Sequence, residues 1–121
     1  MDTIIGEKYI QYLSERNYDK LGELFQSNVI GRLLIPGGLL TVYTSENLIK
    51  KISSWFGESD VFELLESTVF DMGGKMDVKY KFKGRENGGW YIVEQQTFSK
   101  ITEGKISIFD LLCSGFQKTD G

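Results

Sequence analysis

The feature of this sequence that most constrains its fold is the stretch from Trp90 to Phe116, which is typical of a long β-hairpin. The stretch is rich in β-branched and aromatic residues, and Thr102-Glu103-Gly104 in its middle has the composition of a turn. A three-residue loop, with its glycine in the left-handed conformation and a bulge, predicts that even-numbered residues face each other across the hairpin. In that register Gln96 lies opposite Asp110, with Glu94 beside them.

The predicted register gives the hairpin one mostly apolar face, formed by even-numbered side chains. Its apolar members are Trp90, Ile92, Phe98, Ile106, Ile108, Leu112 and Phe116. Glu94, Gln96 and Asp110 interrupt this face. Burial of a carboxylate is costly, and it is tolerated more often at functional sites than elsewhere. Asp110 and Glu94 are therefore the candidate acid–base pair. The alternative is that Gln96 and Asp110 only hydrogen-bond each other or reach solvent.

Size and charge restrict the class of protein. The chain has 121 residues, which favours a single domain spanning residues 1–121. A net charge of -3 argues against nucleic acid or an anionic membrane as a partner. The single cysteine, Cys113, suits a reducing compartment, and no signal peptide or membrane-spanning run is visible. The expected location is the cytoplasm.

The sequence contains no histidine, which removes several kinds of chemistry. Nucleophilic systems built on Ser-His-Asp or Cys-His are excluded, and the commonest transition-metal ligand is missing. We therefore expect no metal site and no cofactor. Acid–base chemistry, if present, would use carboxylates, tyrosines or lysines.

The rest of the chain predicts three helices and several strands. A first helix begins at Asp2 or Thr3, Asn17 caps a short second helix, and Thr44 or Ser45 begins a third, which ends at Gly57. Strands are predicted at residues 29–35, 39–43, 61–72 and 76–83, before the hairpin. In residues 76–83, apolar and charged side chains alternate strictly, which indicates one buried and one wet face. We expect an α+β fold in which a curved antiparallel meander wraps around the helices.

Three local strings resemble the nuclear transport factor 2-like superfamily, in its polyketide-cyclase-like (SnoaL-like) branch. They are Asn17-Tyr-Asp-Lys-Leu-Gly-Glu-Leu-Phe25, Pro36-Gly37 followed by Ser45-Glu-Asn-Leu-Ile49, and Phe98 followed by Glu103-Gly104-Lys105-Ile106. The resemblance covers nearly the whole chain. It implies a cone-shaped α+β barrel, commonly dimeric, with an apolar pocket. The superfamily includes isomerases, cyclases, dehydratases, epoxide hydrolases and non-enzymatic binders, so the fold leaves the function open.

Two positions of the family pattern bear on catalysis. In the ketosteroid-isomerase-like branch, the general-base aspartate comes directly before a Pro-Gly like Pro36-Gly37, where this chain has Ile35. Isomerase activity by that route is therefore not expected. In the cyclase-like branch an acid–base aspartate lies on a late strand, and Asp110 is the nearest match.

Aromatic residues are expected to line the pocket with the polar cluster. Tyr12 on the first helix, Trp55 on the third helix and Tyr80 on the alternating strand are candidate ligand-binding residues, together with Gln96 and Phe98. A tyrosine hydroxyl in an apolar pocket can orient a ligand carbonyl. The alternative is that these aromatic side chains belong to the core.

The odd-numbered face of the hairpin is also apolar. It carries Tyr91, Val93, Phe109, Leu111 and Cys113. Three helices cannot cover both sides of the sheet, so the sequence predicts that this face is convex and pairs in a homodimer. Cys113 is expected to be an inert packing residue.

Three functions remain open from the sequence. The first is a homodimeric protein that binds a small apolar molecule in the cone. The second is a cyclase- or isomerase-type enzyme that uses Asp110 with Glu94 or a tyrosine. The third is a protein-interaction module without a ligand. A filled cone would favour the third, and a cavity containing Asp110 would favour the first two.

Overall fold

The computed structural model describes residues 3–120, with three helices on one side of a curved sheet. The helices are α1 (Thr3–Ser14), α2 (Tyr18–Gly22) and α3 (Ser45–Phe56). The side chain of Asn17 accepts a hydrogen bond from the backbone N–H of Lys20, and Thr44 Oγ1 accepts one from the N–H of Asn47. These two predicted helix starts are therefore confirmed. Asp2, the other possible start of α1, lies outside the described residues.

Seven strands form a single sheet. They are β1 (Phe25–Ile35), β2 (Gly38–Val42), β3 (Val61–Asp71), β4 (Lys75–Glu86), β5 (Gly89–Thr102), β6 (Lys105–Cys113) and β7 (Gln117–Lys118). Their order is β2-β1-β6-β5-β4-β3, and β7 pairs with β5. The sheet curves without closing, so the fold is the expected α+β cone.

The pairing of β1 with β6 differs from the predicted antiparallel meander because these two strands are parallel. Turn signals fix the direction only of strands joined by a hairpin. Strands β1 and β6 are far apart in sequence, and no turn relates them. The sheet is therefore mixed.

The side chains of β4 show which face of the sheet is the inner one. Its apolar residues Met76, Val78, Tyr80 and Phe82 are buried under the helices, as the alternation predicted. Paired residues of neighbouring strands lie on the same face. Because Tyr80 pairs with Gln95 and Phe82 pairs with Val93, the odd-numbered residues of β5 point inward.

The predicted faces of the hairpin are therefore exchanged. Even-numbered residues do face each other, but the register differs by two, since Asp110 pairs with Phe98 instead of Gln96. The turn contains only Glu103 and Gly104, between the paired residues Thr102 and Lys105, and the register shifts after Lys100. The even-numbered residues from 90 to 98 face away from the helices.

The predicted homodimer surface is wrong for the same reason. Val93, Phe109 and Leu111 are at most 3% exposed, and they pack in the core under the helices. A side chain in that position is already covered within one chain. A partner would have to cover the other face of the sheet.

Candidate functional site

A chain of hydrogen bonds between buried polar side chains crosses the inner face of the sheet. The hydroxyls of Tyr9 on α1 and Tyr80 on β4 lie 2.8 Å apart. Tyr80 donates a 2.6 Å bond to Gln95 Oε1, so its own oxygen accepts from Tyr9. Gln95 Nε2 in turn lies 3.3 Å from the sulfur of Cys113. Tyr9, Tyr80 and Gln95 are each at most 2% exposed.

Burial determines the charge state of this network. Desolvation raises the pKa of Tyr9 and of Tyr80 well above the usual tyrosine value. Both hydroxyls therefore stay protonated at physiological pH. Tyr9, Tyr80 and Gln95 are therefore all neutral, and they can donate and accept hydrogen bonds.

A series of aromatic contacts connects this network to the surface. Tyr80 contacts Phe82 with ring centroids 5.6 Å apart, and Phe82 contacts Phe56 at 5.9 Å. Phe56 then contacts Phe116 at 5.8 Å, and Phe116 is 40% exposed. The buried rings occupy the middle of the cone.

The aromatic series ends in an open cleft of about 480 Å³ at the rim of the cone. We call it the rim cleft, and its lining residues include Trp55, Glu58, Glu86, Trp90, Tyr91, Phe116 and Lys118. They come from the end of α3 and the segment after it, the joined ends of β4 and β5, and the C-terminal segment. Aromatic side chains with a few polar groups are the usual lining of a small-molecule site.

Two sets of hydrogen bonds hold the walls of the rim cleft. Tyr91 and Ser59 share a 2.7 Å bond between their hydroxyls. The guanidinium of Arg16 donates to the backbone carbonyls of Phe56 at 2.9 Å and Ser59 at 2.7 Å, just after α3 ends. Burial raises the pKa of Tyr91, so its hydroxyl is neutral. The cleft therefore has a fixed wall on the α3 side.

Asp110 does not lie in a pocket on the concave side, and that prediction is wrong. Asp110 lies on the outer face, where it accepts two hydrogen bonds from Arg32, at 2.6 and 2.7 Å. Glu94 is exposed on the same face. The pairing of β5 with β4, which turns odd-numbered residues inward, carries both carboxylates outward. The acid–base hypothesis for Asp110 and Glu94 loses its geometric basis.

The predicted ligand-binding residues are divided between the two faces. Gln96 donates to Asp77, at 3.1 Å from Oδ1, and Phe98 is 42% exposed, both on the outer face. Tyr80 lies on the inner face, as expected. Trp55 lines the rim cleft, and Tyr12 is half-buried. The binding role of each residue stays a prediction, and the structure does not bring the five together.

The sequence interpretation missed Gln95, although a signal for it was present. Asn87 and Gly88 form the two-residue turn between β4 and β5, and both have positive φ angles. Asn-Gly between two strands is a strong indicator of this turn. It fixes the pairing of Tyr80 with Gln95 and hence the inward direction of both side chains.

Comparisons with known proteins identify the fold. No protein-family model matches the chain, and no curated protein matches it. Among solved structures, a putative polyketide cyclase from Xanthomonas campestris superposes with a TM-score of 0.77, at 13% identity over 92% of this chain and 88% of that one. Another from Pseudomonas putida gives 0.75, at 15% identity over 92% and 90%. An LEH-like epoxide hydrolase from M. tuberculosis gives 0.69, at 7% identity over 93% and 82%.

These similarities show that the chain has the nuclear transport factor 2-like fold, as the sequence resemblance implied. The solved structures that share it include polyketide-cyclase-like and ketosteroid-isomerase-like proteins. At such low identity, the likeness concerns the fold and leaves the activity open.

Two further properties of the described residues concern metal ions and membranes. Within residues 3–120, no group of three or more Cys, Asp and Glu side chains is placed to hold a metal ion. None of the three helices is long and apolar enough to cross a membrane.

Proposed function

We propose that the protein binds a small, largely apolar molecule in the rim cleft. The observation that carries this proposal is the lining of the cleft, which contains four aromatic side chains: Trp55, Trp90, Tyr91 and Phe116. The volume of about 480 Å³ falls within the range of small-molecule sites. The site differs from the sequence prediction because it lies at the rim of the cone instead of inside it.

The half-exposed Phe116 supports this position for the ligand. Its ring covers Tyr91, at 4.7 Å between centroids, and Phe56. When a ligand covers exposed aromatic surface of this kind and removes it from water, the free energy of the complex is lowered. The neighbouring Trp55 provides a further flat surface for the same molecule.

The experiment is a titration observed at the two tryptophans. The chain has only two, Trp55 and Trp90, and both line the rim cleft. Their indole N–H signals in a ¹H–¹⁵N spectrum therefore report on this site alone. The probe is 2-naphthol, a neutral aromatic alcohol. We expect both signals to shift and saturate together.

A pair of variants controls for non-specific binding. Trp55→Ala removes one wall of the cleft and should weaken binding. Tyr43→Ala removes an aromatic side chain that is 66% exposed on another part of the chain, and it should leave binding unchanged. Shifts that do not saturate, or equal loss of binding in both variants, would contradict the proposal.

A second proposal concerns self-association through the outer face of the sheet. Four large apolar side chains, Ile30, Leu34, Phe98 and Leu112, are between 41% and 49% exposed there, on the adjacent strands β1, β6 and β5. We call them the outer apolar patch. We propose that a second copy of the chain covers this patch, which surrounds the Arg32–Asp110 ion pair, in a two-fold homodimer, since large exposed apolar side chains grouped on adjacent strands mark a protein interface.

Sedimentation at micromolar concentration tests the homodimer. Leu112→Asp places a charge in the outer apolar patch, whose member Leu112 is 47% exposed, and should give monomers. Leu65→Asp is the matched control, because Leu65 is 43% exposed on the edge strand β3. A monomeric native protein, or dissociation by both variants, would overturn the homodimer.

A further inference from the structure

We propose that the molecule bound in the rim cleft carries an alkylammonium group, which Trp55, Glu58 and Glu86 recognise. This inference rests on the proposed small-molecule function and adds the charge of the ligand. Three features of the cleft favour a cation. Among the described residues, no cationic side chain covers the Trp55 ring, and two carboxylates of the lining form no ion pair. The third feature is the carbonyl end of a helix.

The first feature is the aromatic ring of Trp55. The chain places its own cations over other aromatic rings: Lys20 over Tyr12 at 5.9 Å, Arg16 over Phe62 at 5.4 Å, and Lys83 and Arg85 over Trp90, the other tryptophan of the cleft, at 5.1 and 5.3 Å. Within residues 3–120, no cationic side chain lies over Trp55. Tryptophan is the side chain that attracts cations most strongly through its ring face.

The second feature is the charge of the lining. Glu58 follows the end of α3, and Glu86 ends β4, so two separate elements bring carboxylates to one cleft. Neither forms an ion pair with any side chain in the described part of the protein. Nearby Asp60 differs, since it pairs with Arg85 at 2.6 Å. Lys118 is the one basic residue in the lining.

The third feature is the direction of α3. Ser54 and Trp55 belong to its last turn, and both line the cleft. The carbonyl end of a helix carries partial negative charge, which stabilises cations nearby. Arg16 already uses this property, because its guanidinium binds the carbonyls of Phe56 and Ser59.

Together these features define the class of ligand. An alkylammonium group presents methyl or methylene groups to the aromatic rings and a positive charge to the carboxylates. A compact, strongly hydrated metal cation would gain little from the rings, and a neutral hydrocarbon would gain nothing from Glu58 and Glu86. The structure therefore points to an organic cation with an apolar body.

The experiment compares two probes of the same shape. Choline and 3,3-dimethylbutan-1-ol differ in that a neutral carbon replaces the charged nitrogen. Binding is measured from the indole signals of Trp55 and Trp90. We expect choline to bind about tenfold more tightly than the alcohol, in line with a cation–π contact supported by carboxylates. Binding of choline should also weaken as salt is added.

The results distinguish this inference from the proposed function. Equal affinity for the two probes, or tighter binding of the alcohol, would overturn the cationic ligand and leave small-molecule binding in place. If neither probe nor 2-naphthol gives a saturable shift, the proposed function fails as well. Both outcomes are read from the same spectra.

Substitution of the carboxylates provides a further test. The double variant Glu58→Gln/Glu86→Gln keeps the shape of the cleft and should remove the preference for choline while retaining the binding of the alcohol. Glu46→Gln, in the first turn of the same helix, is the control and should retain the preference. If the double variant kept the full preference, the assigned role of the two carboxylates would be wrong.

Discussion

Tyr80 donates its hydroxyl hydrogen to Gln95, its partner across strands β4 and β5, over 2.6 Å. The same hydroxyl oxygen accepts the hydrogen of Tyr9 from α1, over 2.8 Å. Tyr80 is therefore the only one of the three that both donates to and accepts from the others. Since Tyr9 and Gln95 are connected to each other through Tyr80, the three positions should differ in their effect on stability.

The first prediction compares two conservative substitutions. Tyr80→Phe leaves the Gln95 oxygen without its donor and the Tyr9 hydroxyl without its acceptor, and an unsatisfied buried polar group costs about 1–3 kcal/mol. Tyr9→Phe removes one donor, while Tyr80 still donates to Gln95, so the loss should be about 0.5–1.5 kcal/mol. Urea denaturation measures the free energy of unfolding of both variants. An equal loss for the two would contradict the central position of Tyr80 in the network.

The second prediction concerns alkaline pH. Burial raises the pKa of Tyr9 and Tyr80 above the ordinary value of 10.0, so the unfolded chain releases these protons before the folded one does. The folded state therefore binds more protons, and its stability falls as the pH rises above 10.0. The stabilising effect of these pKa shifts is fully present at lower pH.

The double variant Tyr9→Phe/Tyr80→Phe isolates this effect. Its free energy of unfolding should decline less steeply with pH than that of the native chain, because neither phenylalanine titrates. Urea midpoints measured between about pH 9 and pH 11 give the two slopes. Parallel slopes would show that these hydroxyls ionise equally in both states.

The buried face of β4 and two helix caps were predicted correctly from the sequence, because each depends on a local pattern. The strict alternation in residues 76–83 indicates one buried and one wet face, and the structure confirms it. The caps at Asn17 and Thr44 are local signals, since each side chain bonds an N–H three residues later. These features depend on a few neighbouring residues, and they were predicted correctly.

The face of β5 could not be predicted from its own composition. Polar Gln95, Thr97 and Ser99 point into the core, whereas apolar Phe98 and Leu112 point outward. Average hydrophobicity thus favours the wrong face. Only pairing with β4, through the Asn87-Gly88 turn, assigns the inner side. The parallel contact of β1 with β6 and the position of the rim cleft depend on tertiary packing, which no local pattern contains.

The third prediction follows from the outward position of Asp110. Asp110→Asn removes the ion pair with Arg32 on the outer face, so it should leave the binding of 2-naphthol in the rim cleft unchanged. Exposed ion pairs contribute little to stability, and the urea midpoint should move only slightly. A large loss of probe binding would show that Asp110 takes part in ligand binding and would contradict this prediction.

The fourth prediction concerns the close approach of Gly84 to Tyr91. A β-carbon at Gly84 would collide with the Tyr91 ring, which lines the rim cleft. Gly84→Ala should therefore displace Tyr91 from Ser59, destabilise the protein by about 1–3 kcal/mol through overpacking, and weaken probe binding. Gly22→Ala on α2 is the control, since Gly22 does not line the rim cleft and a β-carbon there would lie 3.4 Å from Ile49 Cγ1, an ordinary contact. Equal effects of both variants would show that crowding at Tyr91 is unimportant.

The fifth prediction uses the likeness of two hairpin turns. Asn87-Gly88 has φ angles of 52° and 80°, and Glu103-Gly104 has nearly the same values, 54° and 79°. Both are two-residue turns with positive φ at each position, a geometry that asparagine adopts more easily than glutamate. Glu103→Asn should therefore raise the free energy of unfolding by about 0.5–1 kcal/mol, and Asn87→Glu should lower it by a similar amount. Urea denaturation checks both, and changes of the same sign in the two variants would contradict the shared geometry.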